Sequence, residues 1–153
     1  MREECKRIAK NSGLFNYFHP EEAQSVCSLF EFKSYKKGEV IFHEGDSGDF
    51  IAFLAEGRVQ VKKQTEFPDK HFVLAVFGPG CFIGEQAVSD MAGSRRGATV
   101  IALEDCHVAI LHNKQFEELM EKFPASTVKL LRSMLRIVGI RLQAANKRMS
   151  DIF

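Results

Sequence analysis

A barrel or jelly roll of short strands held between helical ends is the fold class this sequence predicts, and three observations predict it. Between Phe32 and about Leu111, glycines at positions 38, 45, 48, 57, 78, 80 and 84 separate short β-prone runs. On either side of that stretch the spacing of apolar residues becomes helical. The 153 residues, 45% of them hydrophobic, suffice for one domain spanning 1–153 whose core needs neither disulfide nor metal.

Residues 1–30 read as a helical N-terminal segment: a charged first helix, a break at Asn11–Gly13, then "HPEEAQSVCSLF". Pro20 suits a first helical turn, and Glu21 and Glu22 favour the positive end of that helix. Residues 31–111 read as the β domain, with strands at "VIF", "FIAFLA", "RVQVKK", "HFVLAVF", "ATVIAL" and "HVAIL". The runs "RVQV" and "ATVIAL" alternate as half-buried strands do, and Pro68 places "QTEFPD" in a hairpin turn.

Residues 113–153 return to helix. "NKQFEELMEKF" is a short amphipathic helix with Asn113 as its expected N-cap, and the following Phe-Pro breaks it before a long helix over about 125–150. On that helix Val128, Leu131, Leu135, Val138, Leu142, Ala145 and Met149 follow alternating steps of three and four, the pattern of a coiled-coil seam. Leu130, Met134 and Ile137 form a second stripe. One stripe is expected to lie on the β domain and the other to meet a twin helix in a parallel homodimer. The basic residues between them read as a solvated face.

Composition narrows the function. A net charge of +1 gives no general attraction to nucleic acid or anionic lipid. No apolar run is long enough to span a membrane, and no signal-peptide core follows Met1, so the expected address is the cytoplasm. Cys5, Cys27, Cys81 and Cys106 form no C-x-x-C pair, and the five histidines show no ligand spacing. No metal site is expected, and the cysteines read as small buried hydrophobes. No nucleophile–base pair with supporting spacing is evident, so no catalytic residue is assigned and an enzyme is not expected.

The chemistry-bearing stretch is "GPGCFIGEQAVSDMAGSRRGATVIA", residues 78–102. It sets one carboxylate, two guanidiniums and several glycines around a short apolar run. A phosphodiester needs an anchoring cation and backbone N–H donors, and arginine offers a planar fork that keeps its charge when buried. A short helix starting near Glu85 would turn its free N–H groups toward the same anion. The Glu85 carboxylate suits a ribose hydroxyl, and Gly84 lets backbone approach closely. On spacing alone an ion pair between Glu85 and Arg96 is an equal alternative.

This stretch resembles the phosphate-binding cassette of the cyclic-nucleotide-binding domains of catabolite-activator-type regulators and cAMP-dependent kinase regulatory subunits. There the pattern is Phe/Ile-Gly-Glu-x-Ala-Leu, a short loop, then Arg-x-Ala-Thr-Val. The segment "KKGEVIFHEGDSGDFIAFLAEGRVQV", with Gly38, Gly45 and Gly57, resembles the family's first half. The resemblance implies an eight-stranded β-roll with N-terminal helices and a long C-terminal helix that moves over the bound base, and a cassette over 83–99. It implies Glu85 on the ribose 2′-hydroxyl, Arg96 on the cyclic phosphate, backbone groups of Gly84 and Ala87, and Ala98 in the pocket wall.

The chain departs from the pattern at several points. The loop from Glu85 to Arg96 is about two residues longer and lacks the usual proline, leaving Arg95 or Arg96 for the phosphate; the register of "GATV" favours Arg96. Gln86 stands where an apolar residue is usual. Gly97 carries no hydroxyl for a guanine amino group, which favours cAMP over cGMP. "RLQAANK" resembles the adenine-touching segment of catabolite activators, placing Asn146 near the base. The expected function is a cyclic-nucleotide sensor acting through its own dimer or an unidentified effector protein. The alternatives are a non-binding interaction domain of the same fold and a truncated catabolite-activator-type transcription factor. No DNA-binding module is recognised in this chain.

Overall fold

The computed structural model describes residues 3–89 and 95–152. Two helices open the chain: α1 (Glu3–Ser12) and α2 (Pro20–Cys27). Eight strands follow, namely β1 (Glu31–Tyr35), β2 (Val40–Phe42), β3 (Phe50–Glu56), β4 (Val59–Gln64), β5 (His71–Phe77), β6 (Phe82–Ile83), β7 (Thr99–Ala102) and β8 (Cys106–His112). A short helix α3 (Gln86–Ser89) lies between β6 and β7, and α4 (Asn113–Lys122) and α5 (Pro124–Ile152) close the chain.

The strands form two four-stranded antiparallel sheets, ordered β1-β8-β3-β6 and β2-β7-β4-β5. This is the jelly-roll-like β-roll with helices at both ends. Strand β3 shows why the layers stack as they do. Its residues alternate between two buried faces: Ala52 and Leu54 enter the core between the sheets, with Ile41, Val59 and Val108. Ile51, Phe53 and Ala55 face the helices, where Ile8, Val26, Leu119 and Leu130 cover them. A strand buried on both sides reads as continuous apolar sequence, which "FIAFLA" is.

Six of the eight strands coincide with the runs picked out by sequence. Strand β1, "EFKSY", carries too few apolar residues to declare itself, and β6 is two residues long. Strand β5 departs in another way. It is a sheet edge, and Phe72, Val73, Leu74 and Val76 are largely exposed despite the apolar run. The N-cap of α4 is His112 rather than Asn113, which is the first helical residue.

The long helix sorts its two stripes as expected. Leu130, Met134 and Ile137 are buried in the helix-facing core, while Val128, Leu135, Leu142 and Met149 stand exposed, Leu135 at 71%. The cysteines, read as small buried hydrophobes, are corrected for one pair: Cys5 of α1 and Cys27 of α2 are buried but joined as a disulfide, with Cα atoms 6.2 Å apart. The turn between the two helices carries those cysteines together, which linear spacing could not reveal. No helix among the described residues is long and apolar enough to cross a membrane.

Candidate functional site: a cavity between two arginines

The cavity lies against the sheet containing β4 and β7, and α5 runs over it. Its volume is about 460 Å3, within the roughly 300–1,000 Å3 of small-molecule sites. Apolar side chains, among them Val61, Leu74, Ile83 and Val100, make most of the wall, and a few charged groups converge on it.

Arg96 is the innermost charge. It begins the approach to β7, and its backbone is fixed to the loop before β3: Arg96 N–H donates to Asp46 O at 2.8 Å, and Gly45 N–H to Arg96 O at 2.8 Å. Its side chain is 4% exposed. Nη1 donates to Gly84 O at 3.3 Å and Nη2 to Phe50 O at 2.5 Å, while the Phe42 and Phe50 rings lie 4.1 and 4.6 Å from Cζ. The buried Nε–H has no partner among the described residues. Burial pushes the Arg96 pKa down from the usual arginine value, and the Asp49, Glu85 and Asp46 carboxylates oppose that. A buried guanidinium with a donor still to satisfy is a group that an anion in the cavity could complete.

Gly84 shows why the cassette needs glycine. Its φ is +78°, and a β-carbon there would stand 2.5 Å from Arg96 Nη1 and 2.9 Å from Phe50 O. The space is kept for the arginine rather than for the ligand directly. Glu85 then turns into the wall at the start of α3, half-buried, and its carboxylate bears on Arg96 electrostatically while the guanidinium's hydrogen bonds go to backbone carbonyls. Among the described residues no hydrogen bond or ion pair engages the Glu85 carboxylate.

Of the residues named from sequence, Gly84, Glu85, Gln86, Arg96, Gly97 and Ala98 line the cavity. Three do not. Arg95 points outward, exposed, with Nη1 on Gly45 O at 3.0 Å, because neighbouring residues of an extended chain face opposite sides. That parity decides which arginine enters the cavity. Ala87 is buried on the core side of α3, and its N–H donates to Gly84 O at 3.0 Å. Asn146 is exposed on α5, more than one turn past the helix residue that enters the site. The extra residues of the cassette loop fall at 90–94, outside the described residues.

The helix residue that enters is Arg141, which sequence reasoning left on a solvated face. Its Cζ lies 4.2 Å from the Phe77 ring centre and 4.5 Å from that of Phe82, and Nη2 donates to Phe82 O. Its buried Nε–H, like that of Arg96, has no partner among the described residues. A guanidinium layered on aromatic rings ties α5 to the cavity rim. Only the basic, unpaired character of "IRLQAANK" hinted at it; the docking of α5 was needed to place it.

The cavity thus offers a buried cation, a carboxylate beside it, an apolar wall and a second arginine on a helical cover. A family model for the cyclic nucleotide-binding domain matches residues 32–123. The chain belongs to this family. It is 31% identical over 115 residues to the cyclic AMP receptor protein of Thermus thermophilus, covering 75% of this chain and 52% of that protein. It is 25% identical over 122 residues to mouse cGMP-dependent protein kinase 2, covering 79% and 16%. The crystal structure of a cyclic nucleotide-binding domain from Methylobacillus flagellatus superposes with a TM-score of 0.82 at 24% identity, covering 97% of this chain and 85% of that one. The chain therefore spans about half the length of the first curated relative and a smaller part of the second.

Proposed function

We propose that this chain works as one cytoplasmic, non-catalytic sensor domain that binds cAMP in preference to cGMP and answers by repacking α4 and α5. The observation that carries the reading is the Arg96 guanidinium, buried beside the Glu85 carboxylate with Nε–H unpartnered among the described residues. The cyclic phosphate would satisfy that donor and the ribose 2′-hydroxyl would donate to Glu85. The base would fill the apolar part of the cavity under α5, with Arg141 at its edge. Gly97 offers no hydroxyl to a guanine amino group, which supports the preference for cAMP.

The coupling to α5 has a stated physical basis. Arg141 belongs at once to the cavity wall and to the helix, so a ligand changes the partners available to the helix cover. A ligand shifts such an equilibrium by its differential affinity for the two packings. The exposed seam of α5 suits a second copy of the chain, so the response would pass through dimer geometry or to an effector protein seated there.

The test is calorimetric titration of the chain with cAMP and with cGMP, repeated on Arg96→Ala. The expected result is a dissociation constant near micromolar for cAMP, about −8 kcal/mol, weaker binding of cGMP, and no heat from the variant. Silence from the wild-type chain with both nucleotides refutes the sensor reading and favours the second one, an interaction domain of the same fold. The exposed α5 seam is the observation behind that alternative.

A further inference from the structure

The N-terminal helices contain chemistry that the cavity does not use. Cys5 and Cys27 are buried, at 0% and 4% exposure, and joined across α1 and α2. Cys81 and Cys106 carry free thiols elsewhere. The tie matters because of what rests on these helices. The carboxylate of Glu22 in α2 accepts from Lys129 Nζ at 2.6 Å and from Ser126 Oγ at 3.3 Å, both in α5. In the turn between α1 and α2, the Tyr17 ring lies 5.4 Å from Arg132 Cζ. Arg136 Nη2 comes within 3.0 Å of where a Gly13 β-carbon would stand. Positions 126, 129, 132 and 136 are successive turns of α5, so the α1–α2 unit is the shelf on which the first half of that helix lies. Arg141, the residue α5 sends into the cavity, sits little more than one turn further on.

We propose that Cys5 and Cys27 are a thiol–disulfide modification site whose redox state sets how firmly α5 is held, with a small-molecule disulfide such as oxidised glutathione as co-reactant. When α1 opens locally from α2, one cysteine thiolate attacks a sulfur of that disulfide, forming a mixed disulfide and releasing one thiol. The second cysteine attacks the protein sulfur of the mixed disulfide, forming the Cys5–Cys27 bond and releasing the second thiol. Two electrons pass from the cysteine pair to the small disulfide, and the two cysteine protons end on the released thiols. In a reducing compartment the pair rests as dithiol, and oxidation closes it. Closing it joins a loop of sequence separation 22 and fixes α1 to α2, which removes freedom from the shelf. With two thiols, α1 keeps its packing and the Arg7–Glu56 ion pair at 3.0 Å but loses its covalent tie to α2, and α5 loses a rigid support.

This inference rests on the fold and not on the nature of the ligand, and its test needs no nucleotide. The chain is equilibrated with reduced or with oxidised glutathione, unfolded, and alkylated. The expected count is four labelled cysteines after reduction and two after oxidation, with Cys81 and Cys106 the labelled pair. Hydrogen–deuterium exchange is then compared for residues 126–141. Site-to-site coupling is typically ~5–150-fold, so exchange in the reduced chain should be faster by about fivefold or more. The melting temperature should also fall by roughly 6–12 °C.

Cys27→Ala should make α5 exchange the same in both buffers; Cys5→Val serves the same purpose should that variant fold poorly. Four labelled cysteines in both buffers would overturn the proposal. So would a disulfide that forms and leaves α5 exchange unchanged. Absence of nucleotide binding would defeat the proposed sensor function and leave this result standing.

Discussion

Gly84→Ala and Gly38→Ala form a matched pair that isolates what the cavity asks of its glycine. Both positions have positive φ, +78° at Gly84 and +91° at Gly38. A non-glycine residue in the left-handed region costs about 1–2 kcal/mol. At Gly38 nothing lies within 4 Å of an added β-carbon, so that strain is the whole effect. At Gly84 the β-carbon would stand 2.5 Å from Arg96 Nη1 and 2.9 Å from Phe50 O, the oxygen that receives Arg96 Nη2. Backbone cannot yield there, so the guanidinium must, and a hydrogen bond to a charged group contributes about 1.5–3 kcal/mol.

The expected losses in urea denaturation are therefore about 1–2 kcal/mol for Gly38→Ala and about 3–4 kcal/mol for Gly84→Ala. Calorimetric titration with cAMP should separate the two further. Gly38→Ala should bind as the parent does, while Gly84→Ala should bind at least about tenfold more weakly, about 1.4 kcal/mol. Equal stability losses together with unchanged nucleotide affinity in both variants would refute the claim that Gly84 holds Arg96 in place.

Three further outcomes are expected. Arg141→Ala removes the stacking on Phe77 and Phe82 and the bond to Phe82 O, so a fluorescent cyclic nucleotide should leave about tenfold faster in stopped-flow mixing, a cation–π contribution of roughly 1–2 kcal/mol. Leu135→Glu places a charge in the exposed seam; if α5 pairs two copies as proposed, sedimentation should show a dimeric parent and a monomeric variant, with the melting temperature of the monomeric fold little changed. Lys129 and the His19 N–H hold the Glu22 carboxyl below its ordinary value of 4.5. A lowered folded-state pKa stabilises above 4.5 and ceases to do so as pH falls through the folded value. The parent should therefore melt higher than Glu22→Gln at pH 7, and the gap should close on acidification below 4.5; a gap constant with pH would count against the link from α2 to α5.

The parts legible in the sequence are those whose signal is local. Glycine punctuation marked six strands, and the two apolar stripes of α5 sorted into buried and exposed as their spacing implied. Gly84, Glu85 and Arg96 met at one cavity because the cassette carries its own geometry in a short stretch. What escaped depends on distant chain. Strand β1 is held by its register against β8, Glu31 opposite Ile110 through Tyr35 opposite Cys106, rather than by apolar content of its own. The exposure of β5 follows from its place at a sheet edge, which "HFVLAVF" does not encode. Arg141 and the Cys5–Cys27 pair become visible once helices are docked, since neither has a sequence neighbour that announces it. The choice between Arg95 and Arg96 was a question of strand parity, and a one-residue shift would have reversed it.

The anchoring of Arg96 bears on how such a pocket changes ligand. Through backbone and side chain this residue ties together the loop at Gly45 and Asp46, strand β3 at Phe50 and the turn at Gly84. Under the proposed reading it both ties these segments together and receives the phosphate, so altering it perturbs the surrounding loops along with the ligand contact. Retuning is cheaper at the rim. Gly97 is exposed, lines the cavity and has nothing within 4 Å of an added β-carbon. A serine or threonine there would bring a hydroxyl into the cavity without moving any of the groups that hold Arg96, so the wall can be changed chemically at Gly97 while the arch around Arg96 stands.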